Sequence, residues 1–336
     1  MHRSSPGVRD PGIVGAQRET ISMKCVYHPG YAVTLPLGHP FPISKSQILK
    51  EIVLREGLVA GSDFLVPDPI DLDSLALIHT REYLAKLDGP GLSGAEQRRL
   101  GLPWSEALWL RSRLATGGTL LAARVALTEG IAANLAGGTH HAFADHAEGF
   151  CVVNDVAVAI AKLCEEGRIE RAVVIDLDVH QGNGTAAIFE HVAEVFTFSM
   201  HGERNYPLQK MRSNLDISLP AGMGDEDYLE VLQEHLPEVL ERSRADIAFY
   251  LAGVDVAAGD RYGKLALSED GIRRRDEQVI GSVRTRGMPL VIVLAGGYAA
   301  SRVRTAQLHV HAIRAATGRG AAASIRDASA AVERGE

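Results

Sequence analysis

The stretch that most constrains the fold of this 336-residue chain is Arg171–Thr185, RAVVIDLDVHQGNGT. Its apolar run, residues 172–175, is rich in β-branched side chains and too short for a helix. It therefore predicts a strand that is buried on both faces of a parallel sheet. Asp178 and His180 follow two residues apart, so in an extended chain both point the same way and can reach one metal ion. Open α/β sheets bind ligands at the carboxyl ends of their strands, and this is such an end.

Strands and helices alternate along the rest of the chain. The predicted strands are Ile131–Leu135, Ala172–Asp178, Glu194–Ser199, Ile247–Ala252 and Pro289–Leu294. The predicted helices are Ser44–Glu56, Trp104–Thr128 with an interruption at Gly117-Gly118, Asn154–Glu166, Asp225–Ser243, Ser268–Val283 and Ser301–Ala316. This alternation predicts an α/β fold: one domain over residues 23–318, with three αβα layers around a mostly parallel sheet. Residues 1–22 are predicted to be a disordered extension, and residues 319–336 a frayed tail.

Composition excludes several classes of partner. The net charge of −7 and a pI near 6.0 give no support for direct binding to nucleic acid or to an anionic membrane. The N-terminal segment has no apolar core like that of a signal peptide, and no apolar run approaches the length of a membrane span. The three cysteines are widely spaced, which is typical of a reducing compartment. We therefore expect a cytoplasmic protein without membrane insertion, and the sequence leaves its oligomeric state open.

Five predicted strands are followed by side chains that can carry chemistry. These side chains are His140 and His141, then Asp176, Asp178 and His180, then Ser199 and His201, then Asp255 and Asp260, and finally Tyr298. The carboxyl ends of parallel strands meet at one edge of a sheet, so we expect these residues to converge on a single site.

The residue types at this edge indicate a metal-assisted hydrolase. Asp178, His180 and Asp255 supply three nitrogen or oxygen ligands and leave a fourth position open, as in a catalytic zinc site. Zinc lowers the pKa of a bound water to about 7 and polarises a carbonyl group.

A general base and an oxyanion donor complete the predicted chemistry. His140 and His141 are both candidates for the base, one oriented by Asp176 and the other by the neutral amide of Asn183. Tyr298 follows two glycines and supplies an O–H donor for a developing oxyanion. Together with the metal ligands, these groups predict hydrolysis of an amide or an ester.

The chain resembles the zinc-dependent histone deacetylase family, which has the arginase/deacetylase fold. The resemblance extends from about Tyr27 to about Ala316 and is carried by the motifs GTHHA at 138–142, GFCVVND at 149–155, DLDVHQGNGT at 176–185, AGVD at 252–255 and GGY at 296–298. Gln181, the stretch TGGT at 116–119 and the stretch GDRYG at 259–263 are most similar to the class IV branch.

The resemblance implies a role for each site residue. Zinc, or iron(II) in its place, would be bound by Asp178, His180 and Asp255. His141 would act as general base and then general acid, while His140, paired with Asp176, would act mainly through its charge. Tyr298 would polarise the substrate carbonyl. A structural potassium ion beside the metal is implied at Asp176, Asp178, His180 and Ser199. The tunnel for an acyl-lysine chain would be lined by Gly149 and Phe150, with His201 or Tyr206 facing them.

The chain also departs from the family pattern. The segment before Gly138 lacks the arginine that many relatives carry, so no residue is assigned to guide the acid product outward. Asp88 is the nearest candidate for an aspartate that grips a peptide backbone at the rim, but a loop turn is the favoured interpretation. His309 and His311 lie on the last predicted helix and are expected at the surface.

Three functions remain open from the sequence. The favoured one is hydrolysis of protein N-acyl-lysine, with acetyl or longer acyl groups. The second is hydrolysis of a small acylated amine such as an acetylpolyamine, which an acidic rim would favour. The third is a zinc-containing protein that binds acyl-lysine without catalysis, although Tyr298 and the histidine pair argue against it. A two-manganese ureohydrolase is disfavoured because the ligand pattern supplies one ion and not a bridged pair.

Overall fold

The computed structural model describes residues 23–318 of the chain. Its centre is one sheet of eight strands, in which every ladder is parallel. The strands are β1 (Lys24–Val26), β2 (Phe64–Leu65), β3 (Ile131–Asn134), β4 (Ala172–Asp176), β5 (Val195–Gly202), β6 (Leu215–Leu219), β7 (Ile247–Leu251) and β8 (Leu290–Val293). The predicted extension 1–22 and the predicted tail 319–336 lie outside the described residues.

The strand order is β2-β1-β3-β8-β7-β4-β5-β6. Strand β8 therefore lies between β3 and β7, and it joins the three N-terminal strands to the other four. The five predicted strands are present, and the structure also contains β1, β2 and β6. Strand β5 also extends to Gly202, so Ser199 and His201 lie within it and not after it as the sequence suggested.

Helices cover both faces of the sheet. The α-helices in the described part of the chain are α1 (Lys45–Arg55), α2 (Leu72–Leu75), α3 (Arg81–Asp88), α4 (Gly94–Leu100), α5 (Glu106–Glu129), α6 (Asp155–Glu165), α7 (Asn183–Phe189), α8 (Asp225–Ser243), α9 (Glu269–Arg284) and α10 (Arg302–Ala316). Helices α1, α8, α9 and α10 pack on one face, while α3, α5 and α6 pack on the other. This arrangement confirms the predicted three-layer αβα architecture.

The sequence of β4 shows why two helical layers are needed. Val173 and Ile175 belong to one hydrophobic core, whereas Val174 belongs to the core on the opposite face. Successive side chains of a strand point to opposite faces, so an unbroken apolar run must be covered on both sides. The run is fully buried, as predicted.

Helix α5 corrects one expectation. It runs without a break through Gly117 and Gly118, where the sequence suggested an interruption. The two glycines instead allow close contact with neighbouring segments. A Cβ atom at Gly117 would lie 2.1 Å from the carbonyl oxygen of Asp68, and one at Gly118 would lie 2.1 Å from the hydroxyl of Tyr31.

Helix α10 corrects a second expectation, which concerns the exposure of its two histidines. His309 and His311 were expected at the surface, but they are only 1% and 5% exposed. The helix packs against both α1 and α9, so two of its faces are covered. His311 Nε2 lies 2.9 Å from Glu269 Oε1 on α9, and His309 Nε2 lies 3.4 Å from Lys45 Nζ on α1.

The described helices include none that is both long enough and apolar enough to cross a membrane.

His79 ties the segment before α3 to the start of α6. Its Nε2 accepts a hydrogen bond from the backbone N–H of Asn154 at 3.0 Å, so its proton must lie on Nδ1, which faces the carbonyl oxygen of Ala144 at 3.3 Å. The ring is 2% exposed, and burial lowers its pKa from 6.5 to about 4. The folded protein thus holds this histidine neutral.

We expect His79 to make the protein less stable as the pH falls from 6.5 to 4. The unfolded chain binds a proton at this histidine near pH 6.5, while the folded chain does so only near pH 4. The free energy of unfolding should therefore drop by roughly 3 kcal/mol more in the native protein than in a His79→Gln variant. Urea unfolding at several pH values measures this difference, with the exposed His191→Gln as control. A difference that is constant with pH would contradict the assignment.

Candidate functional site

The candidate site lies at the carboxyl edge of the sheet, where β3, β4, β7 and β8 end. The loop after β3 carries His140 and His141, and it is held by Asp155 at the start of α6. Asp155 accepts hydrogen bonds from the backbone N–H and the hydroxyl of Thr139 at 2.7 and 2.5 Å, and from the N–H of Gly138 at 3.1 Å. The position of the histidine pair is therefore fixed by a neighbouring helix.

Asp178, His180 and Asp255 come together as a possible metal site. Each offers one ligand atom, and these atoms lie within 4.8 Å of one another. His180 Nδ1 lies 2.9 Å from Asp178 Oδ1 and 3.2 Å from Asp255 Oδ2. All three side chains are buried. The two aspartates follow adjacent strands, β4 and β7, which explains why residues 77 positions apart in sequence meet here.

The donor set fits a divalent cation. Asp255 Oδ2 is buried and accepts no hydrogen bond from any described residue. Burial and the neighbouring charge of Asp178 raise the pKa of Asp255 to about 7, because two carboxylates share one buried site. Gly296 keeps the space beside this oxygen open, since a Cβ atom at Gly296 would lie 1.9 Å from Asp255 Oδ2. A bound cation would offset the buried negative charge.

The two histidines have different partners. His140 Nδ1 lies 2.7 Å from Asp176 Oδ2, whereas His141 Nδ1 lies 2.7 Å from Asn183 Oδ1. Burial of the His140 ring opposes its charged form, but the carboxylates of Asp176 and Asp178 outweigh burial and raise its pKa to about 9. Burial and the nearby rings of His140 and His180 hold the pKa of His141 well below 6.5. The pair thus combines one charged and one neutral imidazole.

Glu148 is a site residue that the sequence did not single out. Its Oε1 accepts hydrogen bonds from Asn183 Nδ2 at 2.8 Å and from the hydroxyl of Tyr206, and its Oε2 lies 3.6 Å from His146 Nε2. Burial alone would raise its pKa, but these three neighbours outweigh burial and lower it to about 2. Its position directly before the GFC motif at 149–151 is the sequence feature that could have indicated a role at the site.

Gly149, Phe150 and Tyr206, which the family resemblance assigned to a substrate tunnel, line one opening together with His180 and Tyr298. This opening is called the tunnel below. The Phe150 and Tyr298 rings lie 5.9 Å apart, and the Tyr206 ring lies 5.0 Å from that of His141. Gly149 has a φ of 53°, and a Cβ atom there would lie 2.6 Å from the ring of His141. Glycine is therefore required at this position by conformation and by space.

His201 is not among the residues that line the tunnel. It is 1% exposed, its Nδ1 lies 2.9 Å from Ser199 Oγ, and it pairs with Ser218 in the β5–β6 ladder. The structure brings Tyr206, and not His201, to the tunnel wall. Ser199 lies opposite Asp176 in the β4–β5 register, so these two members of the predicted potassium site are neighbours.

A small cavity of about 50 Å³ adjoins the tunnel, because the two share His141 and Tyr298, and His140 also lines the cavity. Lys45 and Arg111 also line it, and the sequence gave no signal for either because both lie within ordinary helices. Lys45 Nζ contacts the carbonyl oxygen of Ala295, and burial lowers its pKa to about 8. Both cations line the same cavity as Gly137 and Gly138, the segment in which the sequence lacks the arginine that many relatives carry.

A further buried cation, Arg275, supports the loop that carries Asp255. Arg275 on α9 is fully buried, and its Nη1 donates to the carbonyl oxygen of Gly253 at 2.6 Å. Its Nε and Nη2 donate to Asp276 Oδ1 at 3.0 and 2.8 Å, and the hydroxyl of Tyr250 donates to the same oxygen at 2.6 Å. Gly253 precedes Asp255 by two residues, so the guanidinium fixes the backbone that carries this ligand.

Comparison with known proteins matches this sequence to one protein family. Residues 39–314 match the model of the histone deacetylase domain. An uncharacterized protein of Picosynechococcus is 44% identical over 82% of this chain and 91% of its own length. Histone deacetylase 2 of Arabidopsis thaliana is 30% identical over 79% of this chain and 71% of its own length. A histone deacetylase-like amidohydrolase of Pseudomonas aeruginosa is 28% identical over 83% and 80%.

The fold has a counterpart among solved structures. The HDA15 HD domain superposes with a TM-score of 0.74 and 22% sequence identity, covering 94% of this chain and 93% of that domain. At this identity the likeness shows the fold alone, and it confirms the arginase/deacetylase architecture that the sequence motifs implied.

We expect Asp255→Asn to reduce strongly the stabilisation of the protein by added zinc. The substitution would remove one of three candidate ligands, which should weaken zinc binding by about 100-fold. It also removes a buried carboxylate that repels Asp178, so the metal-free variant should unfold at a higher temperature than the metal-free native protein. Thermal unfolding with chelator and with added zinc measures both effects, and the exposed Asp145→Asn serves as control. An unchanged zinc-dependent shift in Asp255→Asn would rule out this ligand.

Proposed function

This chain belongs to the histone deacetylase family, whose members hydrolyse amides, and we propose that it is a zinc-dependent hydrolase of N-acyl-lysine. The observation that carries the proposal is the convergence on one narrow cavity of two metal ligands, two histidines with different partners, and Tyr298. A protein that only bound acyl-lysine would have no need for a charged and a neutral imidazole side by side.

Asp178, His180 and Asp255 would hold the zinc ion. When bound there, zinc polarises the scissile carbonyl and lowers the pKa of a coordinated water. Asp176 and Ser199, together with Asp178 and His180, would hold a structural potassium ion. The class IV assignment, based on Gln181 and two short motifs, stays a prediction.

His141 is the proposed general base, and its tautomer follows from its neighbours. Glu148 is ionised and only accepts hydrogen bonds, so the Nδ2 group of Asn183 faces Glu148 and the Oδ1 atom faces His141. His141 Nδ1 must then carry the proton and donate a hydrogen bond to Asn183 Oδ1. This leaves Nε2 free to take a proton from the attacking water and to return it to the departing lysine amine.

His140 and Tyr298 act on charge that develops in the transition state. Asp176 keeps the His140 imidazole charged, and this charge stabilises negative charge on the substrate. The Tyr298 hydroxyl donates a hydrogen bond to the carbonyl oxygen. Burial, with the nearby charges of Asp255 and Asp178, holds the pKa of Tyr298 well above 10, so the hydroxyl keeps its proton.

The cavity beyond the reacting carbonyl supports a short acyl group. Its volume of about 50 Å³ has room for a few water molecules, which is suitable for an acetyl group. Lys45 and Arg111 line this cavity and would attract the carboxylate product after hydrolysis.

The function is tested by kcat/KM on one lysine peptide that carries either an acetyl or a long fatty acyl group. We expect the zinc-loaded protein to prefer acetyl, and Tyr298→Phe to retain zinc but lose activity by about 100- to 1,000-fold. Product masses and zinc content are measured on the same samples. Hydrolysis of neither peptide would contradict the proposal, and a preference for the fatty acyl group would contradict the short cavity. Full activity of Tyr298→Phe would remove this residue from the mechanism.

We expect Glu148→Gln to lower kcat by about 10- to 100-fold with little change in KM or zinc content. A glutamine amide can donate as well as accept, so Asn183 would no longer be held with its oxygen toward His141. Tyr206→Phe is the matched control, because it removes one donor from Glu148 and keeps the carboxylate. An equal loss in both variants would mean that packing, and not the tautomer of His141, is what Glu148 maintains.

A further inference from the structure

The mouth of the tunnel is positively charged, although the chain as a whole has a net charge of −7. The mouth is an opening of about 310 Å³, and three basic residues line it: Arg99 at the end of α4, Arg204 after β5, and Lys264 between β7 and α9. All three are exposed. No aspartate or glutamate is among the described residues that line this opening.

The three cations form no ion pairs within the described part of the chain. Lys264 Nζ donates to the backbone carbonyl oxygen of Arg204 at 2.9 Å, which positions the ammonium group without neutralising it. Their charge is therefore available to a molecule that enters the tunnel.

Two carboxylates that adjoin residues of the mouth have hydrogen-bond partners of their own. Asp260 accepts backbone hydrogen bonds from Tyr262, Gly263 and Tyr298 at 2.9, 3.0 and 2.6 Å. Glu148 accepts from Asn183 and from Tyr206, as described above. Among the described residues, neither carboxylate forms an ion pair with Arg99, Arg204 or Lys264.

A neighbouring groove is also lined by basic residues. It has a volume of about 830 Å³, shares Tyr298 with the tunnel mouth, and is lined by Arg261 and Arg302, again without an acidic residue among the described ones. The basic surface thus extends from the tunnel along one side. A surface of one sign attracts ligands of the opposite sign and rejects those of the same sign.

From this surface, and resting on the proposed hydrolase function, we propose that the substrate is an acyl-lysine within an acidic protein segment. Aspartate or glutamate side chains flanking the acyl-lysine would face Arg99, Arg204 and Lys264 when the lysine stem occupies the tunnel. An acetylpolyamine carries positive charge beside its amide and is disfavoured by the same surface. The sequence left this choice open and made it depend on the charge of the rim.

The test uses three peptides with one central acetyl-lysine, flanked by glutamate, glutamine or lysine residues. For the zinc-loaded full chain at low salt, we expect kcat/KM to be at least about tenfold higher for the glutamate peptide than for the lysine peptide. The difference should arise in KM and should shrink at high salt, because exposed charges are screened. Equal kcat/KM values, or a higher value for a mono-acetylated polyamine, would overturn the proposal.

Arg99→Glu and Arg98→Glu form a matched pair of variants. They make the same charge change at adjacent exposed residues of α4, but only Arg99 lines the tunnel mouth. We expect Arg99→Glu to remove most of the preference for the glutamate peptide, with a further loss on adding Arg204→Glu. Arg98→Glu should keep the preference. Equal effects of Arg98→Glu and Arg99→Glu would show that overall charge, and not this mouth, selects the peptide.

Binding of the same peptides separates this proposal from the proposed function. If no peptide is hydrolysed, the hydrolase function fails, and the charge preference is measured instead as Kd by fluorescence anisotropy. Tighter binding of the glutamate peptide that depends on Arg99 would still support the acidic substrate class. Equal Kd values for the three peptides would overturn it.

Discussion

Three carboxylates are buried at the ends of two adjacent strands, and this concentration of negative charge determines the design of the site. Asp176, Asp178 and Asp255 cannot remain ionised together without nearby positive charge. The protein supplies part of it through the charged imidazole of His140. A metal ion between Asp178 and Asp255 would supply the rest. Under the proposed function, hydrolytic chemistry and structural stability would therefore depend on the same ion.

The proposed chemistry and the proposed substrate recognition depend on different parts of the fold. The metal ligands, the histidine pair and Tyr298 follow strands of the central sheet, and their loops are fixed by buried groups such as Asp155 and Arg275. The cations at the tunnel mouth come from a helix end and from surface segments, where substitutions disturb few contacts. Substrate preference can thus change in related chains while the reacting groups keep their positions.

The sequence predicted the layered fold and the meeting of Asp178, His180 and Asp255, because apolar runs and strand ends are local patterns with a direct meaning in three dimensions. The positions of Glu148 and Lys45 could not be obtained in this way. Each becomes part of the site only through contacts with residues distant in sequence. His309 was misplaced for a similar reason, since burial of α10 depends on α1 and α9 and not on its own composition.

The place of β8 in the sheet determines when the candidate site is completed. The histidine pair follows β3 on one side of β8, while the residues that can bind metal follow β4 and β7 on the other. Until Leu290–Val293 has been synthesised and inserted, the two half-sheets share no hydrogen-bonded strand. A nascent chain that ends before this point lacks Tyr298 and the strand that links the loop of His140 and His141 to the loops of Asp178 and Asp255. The proposed catalytic groups therefore come together late, in the same event that closes the sheet.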